Sequence, residues 1–216
     1  MKLSNETITL LKNYSTINPS VLFKQGNTIA TISPQRSIFA KASITEDVPR
    51  QFAVAELNKF LGVLSMFKDP ELNFNDNHVE ICSGSKKVRY TYADVSAIIT
   101  PPEKELKFPE AEVEFELKAD DLNAAVKALS VLSLPELAIT GDGENVMIQA
   151  ISSKNSTADN YSQVVATADK KFRAILKTEN LKLLNKDYKV SVAKNIVKFE
   201  ADDITYFVAV EANSTF

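Results

Sequence analysis

The sequence predicts an α+β protein of two similar domains, each built from two units of strand, helix and further strands. Three observations carry this. Four stretches resemble one another, beginning near Ser4, Glu56, Ala119 and Thr178; such spacing marks a repeated supersecondary unit that cannot bury its apolar face alone. Turn residues separate short alternating runs, as between antiparallel neighbours. Three of the eight prolines fall within Thr100 to Pro109, TPPEKELKFP. Proline fixes its own φ and keeps the preceding residue out of helix. Domains are therefore expected at 1–100 and 111–216, with 101–110 as an extended surface connector.

The first unit reads Met1 to Leu3 as a strand lead-in, then a helix, SNETITLLKNYS, that buries Ile8 and Leu11. Strands Val21 to Lys24 and Thr28 to Ser33 follow, parted by Gly26-Asn27. The second unit has the lead-in Gln51 to Ala55, a helix ELNKFLGVLSMF turning Leu57, Phe60, Leu61 and Leu64 inward, and His78 to Ser83 after the turn Asn75 to Asn77. In the third, Glu112 to Leu117 leads into ADDLNAAVKALSVL, with Leu122, Val126 and Leu129 inward; Gly141 to Gly143 then separates Leu137 to Thr140 from Asn145 to Ile151. The polar stretch Ser152 to Asn160 reads as a hairpin tip. The fourth has Phe172 to Leu176, a helix TENLKLLN burying Leu181 and Leu184, and a meander of Tyr188 to Ala193, Ile196 to Glu200 and Ile204 to Val210. Apolar residues at helical spacing suit each helix to cover one side of a sheet.

With 216 residues, 44% hydrophobic and 25% charged, the chain has the composition of a soluble globular protein. It has no membrane-length apolar run, and MKLSNETITL lacks a signal-peptide core, so the protein is expected to stay where it is made. The lone Cys82 fits an inert, at least half-buried thiol in a reducing compartment. Catalysis finds no support. His78 sits at a strand start, Gly84-Ser85-Lys86 lacks the earlier glycine of a phosphate loop, Asp120-Asp121 opens a helix, and Asp202-Asp203 fills a tight turn. One Cys and one His cannot build a structural zinc site. No enzyme activity, metal or cofactor is expected.

The helices carry the one constellation with functional content. Their polar faces hold Asn, Ser, Thr, Ala and one lysine apiece, Lys12, Lys59, Lys127 and Lys182, while acids occupy the first turns at Glu6, Glu56, Asp120, Asp121 and Glu179. Small polar residues around a mid-helix cation can meet phosphates without reading bases. Each lysine alone reads as a solvated residue; the fourfold recurrence favours DNA. Against DNA stand 28 acidic and 25 basic side chains, net −3. Glu110, Glu112, Glu114 and Glu116 also alternate with Ala111, Val113, Phe115 and Leu117, a carboxylate ladder on one strand face. DNA would have to meet one basic face of an acidic molecule. A protein-interaction scaffold that uses the same repeats without DNA remains the other reading of these residues.

KLSNETITLLKNYSTIN at the start, LNKFLGVLS from Leu57, KFPEAEV from Lys107, LKADDLNAAVKALS from Leu117 and KFEADDITYFVAVEANST from Lys198 together resemble the sliding clamps of T-even-type bacteriophages, processivity factors of the replicative DNA polymerase. The resemblance runs nearly end to end, and is weakest at Ser33 to Ser37, Ser152 to Tyr161 and the last residues. It implies a homotrimeric ring of six domains around double-stranded DNA, helices lining the hole and sheets outside, holding DNA by topology. It also implies loading by an ATP-dependent clamp loader, no cofactor, action in the cytoplasm of the infected host, and a late-transcription role as in related phage clamps. Subunits would join through two edge strands, Lys87 to Tyr92 with Val88, Tyr90 and Tyr92, and Tyr161 to Ala168 with Tyr161, Val164 and Val165. Polymerase and other partners would dock peptides beside the connector at Phe108 and Pro109, with Phe39 and Phe207 as pocket walls.

Overall fold

The computed structural model describes residues 1–104, 106–155 and 157–216. Glu105 of the expected connector and Ser156 of the polar tip lie outside the described residues. The chain forms two compact units, Met1–Lys104 and Glu105–Phe216.

The first unit runs α1 (Asn5–Ile17), β1 (Val21–Phe23), β2 (Gly26–Ile32), β3 (Ile38–Val48), β4 (Phe52–Val54), α2 (Leu57–Ser65), β5 (Glu71–Phe74), β6 (His78–Ser83) and β7 (Lys86–Thr91). Strands β4, β1, β2 and β3 lie side by side, all antiparallel; β5, β6 and β7 form a second antiparallel sheet. Helix α1 buries Thr7, Leu10, Leu11, Tyr14 and Ile17, and α2 buries Leu57, Phe60, Leu61 and Leu64. The Phe23 ring stacks on Phe52 with centroids 4.4 Å apart, and Phe60 closes on Phe23 at 6.3 Å. Offset aromatic pairs of this kind add to the burial of their area.

The second unit repeats the plan: β8 (Val113–Leu117), α3 (Ala119–Val131), β9 (Glu136–Asp142), β10 (Asn145–Ile151), β11 (Tyr161–Thr167), β12 (Lys171–Lys177), β13 (Tyr188–Ala193), β14 (Ile196–Glu200) and β15 (Ile204–Ala209). One sheet has the order β8, β13, β14, β15 and the other β11, β10, β9, β12, again antiparallel throughout. Helix α3 buries Leu122, Ala125 and Leu129. Gly141 lies inside β9 rather than in the turn. A Cβ there would stand 2.3 Å from the Lys170 carbonyl oxygen and 2.6 Å from the Phe172 ring, so only glycine lets β12 come this close. The turn itself falls to Gly143, at φ +101°.

Helix starts α1 and α3 are closed by carboxylates from distant segments. Ser4 caps α1, its Oγ accepting from the Thr7 N–H at 3.1 Å. Glu46 on β3 reinforces it, accepting from the Ser4 N–H and from the Thr7 hydroxyl at 2.6 Å. For α3 the capping position is Lys118, which has no acceptor to offer. Asp187 takes the role, accepting from the Ala119 N–H at 2.8 Å and pairing with Lys118 at 2.8 Å. Both placements put negative charge at a helix N-terminus, where backbone donors are unpaired.

Several expectations are corrected. TENLKLLN is not an α-helix: a single 3-10 turn, Thr178–Asn180, is followed by irregular chain. Eight residues nucleate poorly alone, and tyrosines claim the backbone that helix would need. The Leu184 N–H donates to the Tyr206 hydroxyl at 3.3 Å, and the Tyr188 hydroxyl donates to the Leu184 carbonyl at 2.6 Å. Leu181 and Leu184 are half-buried rather than core. Ile8 is likewise half-buried and Val126 is exposed, since the inward stripes run through Leu10, Leu11 and Tyr14 and through Leu122, Ala125 and Leu129. Met1 to Leu3 forms no strand, although Met1 and Leu72 exchange two backbone hydrogen bonds. Strands β3 and β5 were not expected. His78 opens β6, and Cys82 is a half-buried free thiol.

Candidate nucleic-acid and partner surfaces

Three of the four predicted lysines stand on α-helices with exposed side chains. Lys12 projects from α1 beside exposed Thr9 and Thr16; Lys59 stands on α2 beside Asn58 and Gly62; Lys127 stands on α3 beside Asn123 and Ala124. Lys59 shares its charge with Glu56 one turn earlier, at 3.7 Å. Both partners are well exposed, so the pair is weak and leaves the cation open to other anions. Lys182 is the exception. It is half-buried in the irregular segment after the 3-10 turn, so it does not belong to a helical face.

The carboxylate ladder of β8 is partly neutralised. Glu112, just before the strand, pairs with Lys170, and the hydrogen bond from that ammonium holds its carboxyl below the ordinary range. Glu114 pairs with Lys189 at 2.9 Å and accepts from the Ser191 hydroxyl at 2.7 Å, which lowers its pKa in the same direction. Glu116 remains exposed.

Strand β7 pairs only with β6, and β11 only with β10, among the described residues. Each leaves one row of backbone N–H and C=O groups open to a further strand. On β7, Val88 and Tyr90 are half-buried while Lys87, Arg89 and Thr91 are exposed. The Tyr90 ring meets Phe60 edge-on at 5.1 Å, and Tyr92, just beyond the strand, lies 5.2 Å from Phe52. Burial raises the pKa of both phenols. These tyrosines therefore anchor the edge to their own core. On β11 the Tyr161 hydroxyl donates to Gln163, whose amide donates to Asp121 of α3. Val165 is half-buried, and Val164 is 55% exposed on the open edge.

Phe108 is half-buried against the outward side of its own unit. Its ring lies 6.2 Å from Phe207 of β15, tilted by 46°, and the Lys198 ammonium sits 5.4 Å from its centre. Lys198 also pairs with Glu200 at 2.8 Å, and its side chain is 19% exposed. Pro109 is exposed, and Phe39, on β3 of the first unit, is half-buried. Sequence reasoning missed Lys198. Its alternation with inward Val197 and Phe199 puts it on the outer face, but nothing local says that an aromatic from the connector will lie over it.

Residues 3–100 match the family described as DNA polymerase processivity factor, and residues 114–212 the C-terminal part of the gp45 sliding clamp. The sliding clamp of Escherichia phage RB69 is 31% identical over 226 residues, covering 100% of this chain and 99% of that protein. That of Vibrio phage KVP40 is 31% identical over 221 residues, covering 98% and 100%. Among solved structures, A. fulgidus PCNA bound to the C-terminal region of FEN-1 has the same fold, with a TM-score of 0.74 at 13% identity over 98% of this chain and 97% of that one. Full-length identity to phage clamps, family matches in both units and the shared antiparallel architecture agree: the chain belongs to the sliding-clamp family of T4-like bacteriophages, the processivity factors of DNA polymerase.

Proposed function

We propose that the chain works as a homotrimeric ring that encircles double-stranded DNA without regard to sequence and tethers the phage replicative polymerase in the infected host's cytoplasm. The observation that carries it is that β7 in one unit and β11 in the other each pair with a strand on one side only, whereas the edge strands β4, β5 and β12 receive further backbone hydrogen bonds from Ala93, Met1 and Thr215. An exposed edge is an aggregation hazard unless something pairs with it, and one edge meeting the other on the next copy repeats head to tail until a ring closes. Lys12, Lys59 and Lys127 would face the phosphates, contributing charge without base contacts that would halt sliding. Lys182 contributes less, from outside the helices. The net charge of −3 then discourages adhesion anywhere but the hole.

Residues 101–110 serve as the connector between domains 1–100 and 111–216. Phe108 and Phe207, with Pro109 beside them, form one wall for a partner's aromatic anchor, and Phe39 a further candidate. The A. fulgidus PCNA complex with the FEN-1 C-terminal region supports peptide docking as the mode. An ATP-dependent loader places the ring on DNA, and a ring held by topology can also carry late-transcription factors along the duplex. Light scattering over a concentration series tests the assembly: trimers dissociating on dilution are expected, and monomers throughout would overturn the ring. Retention on nicked circular DNA after loading, lost on linearisation, tests the topology; equal retention on both forms would overturn it.

A further inference from the structure

In the second unit Val146, Ile148 and Ala150 of β10 and Phe172, Ala174 and Leu176 of β12 are buried. Gln149, Ile151 and Arg173 alternate with them and so stand on the opposite face of that sheet. There the polar stretch after β10 bounds a cavity of about 300 Å³, with Arg173, Asp159, Asn155, Asn160, Ile151 and Tyr161 among its lining. The walls are held in place. Glu136 accepts from the Ser153 N–H at 2.7 Å and from its hydroxyl at 2.8 Å, and the Asn213 amide donates to the same hydroxyl at 3.1 Å. Asn155 closes a turn, its side-chain oxygen accepting from the Thr157 N–H at 3.1 Å and hydroxyl at 2.9 Å. On the other wall the Arg173 backbone exchanges two hydrogen bonds with Thr215, at 2.8 and 2.9 Å.

The geometry points to a carboxylate-binding site in this cavity, for a peptide carboxylate with an N–H donor beside it. It rests on neither the ring nor the DNA reading. Among the described residues the Arg173 guanidinium has no ion pair or hydrogen bond, and Asp159 meets no cation at ion-pair distance. A guanidinium fork matches a carboxylate through two parallel bonds, which a lysine cannot offer. The Asn155 amide nitrogen, left over from the turn, and the Asn160 amide supply further donors, and Asp159 accepts the ligand's N–H. Asp159 also sets the charge: a dianionic phosphate would meet a carboxylate in the same site, whereas a monoanion with a donor finds both its complements. The other charges nearby are spent or stand outside. Glu136 is engaged by Ser153, Lys177 pairs with Glu211 at 3.7 Å, and exposed Lys154 and Lys171 do not line the cavity. Its volume is at the small end for ligand sites, which suits one residue against Ile151 and Tyr161 rather than a longer segment. A free C-terminus and an acidic side chain both carry this chemistry.

Saturation-transfer NMR titrations of the full chain should compare acetyl-Ala-Ala with a free carboxylate, the same peptide as its amide, and acetyl-Ala-Asp-Ala amide. Wild type should bind at least one carboxylate probe about tenfold or more tightly than the uncharged amide, as expected when a charged hydrogen-bond partner is removed. A preference for the free end assigns the site to termini and a preference for the Asp peptide to acidic side chains; either sustains it. Arg173→Gln should erase the preference, while Lys154→Gln and Lys171→Gln should leave it unchanged. All three positions are exposed, so melts by circular dichroism should match wild type, and the comparison of acid with amide needs no variant. Inorganic phosphate at equal concentration should not displace the bound probe. Acid and amide bound alike, Arg173→Gln behaving as wild type, an equal loss in the two lysine variants, or ready displacement by phosphate would each overturn the site.

Discussion

Glu46→Gln tests the tertiary cap on α1. The carboxylate accepts from the Ser4 N–H on one oxygen and from the Thr7 hydroxyl on the other. Burial alone would raise its pKa, but the hydrogen bonds from Thr7 and Ser4 outweigh it and hold the carboxyl below its ordinary range. Glutamine keeps the shape, retains one acceptor and turns an amide donor toward the other partner. A hydrogen bond to a charged group is worth about 1.5–3 kcal/mol and a helix cap about 1. Because Glu46 is only half-buried, solvent screening places the loss in the lower part, about 1–2 kcal/mol. At about 2–4 °C per kcal/mol for a chain of this size, the melting temperature should fall by several degrees at neutral pH. Since the folded-state pKa is depressed, the stabilisation is complete above the ordinary glutamate range and is lost as pH falls through the folded value. The gap between wild type and variant should therefore close in acid. Urea melts across pH, at one protein concentration because assembly shifts apparent stability, provide the assay. Identical stability at neutral pH, or a gap that persists in acid, would refute the cap.

Changing Lys12, Lys59 and Lys127 together to glutamate should leave assembly intact, reduce processive synthesis and flatten its salt dependence, since each phosphate contact contributes to the slope; Lys182→Glu should do less, and an unchanged triple variant would remove these helices from the hole. Phe108→Ala should weaken binding of a polymerase tail peptide by about 1–3 kcal/mol, as for interface anchors. A large fall in melting temperature with affinity unchanged would make Phe108 a purely structural residue. Gly141→Ala should destabilise the second unit by about 3 kcal/mol, because the new methyl meets the Lys170 backbone as well as the buried Phe172 ring; a wild-type melt would contradict the close approach of β9 and β12.

Strands bounded by strong turn residues, such as His78–Ser83, Asn145–Ile151, Tyr188–Ala193 and Ile196–Glu200, were legible in the sequence because period-two alternation and local turn chemistry determine them without help from distant residues. Helix α2 was legible from its own period, its four inward residues Leu57, Phe60, Leu61 and Leu64 lying on one stripe at helical spacing. The lysines on α1, α2 and α3 were legible as outward positions, and the family as strings of residues along the whole chain. What followed only from tertiary structure depends on partners far apart in sequence. TENLKLLN has helical spacing, yet Tyr188 and Tyr206 hold the Leu184 backbone and keep Lys182 off any helix. Glu46 and Asp187 close helices that begin tens of residues away. Phe108 lies on Phe207 and under Lys198 because the chain returns there only after roughly the length of a whole domain. The family resemblance named Lys87 to Tyr92 and Tyr161 to Ala168 as edge strands, but the residues of a strand do not by themselves say so, since its unpaired side is set by the neighbour it lacks, and only the sheets show β7 and β11 paired on one side.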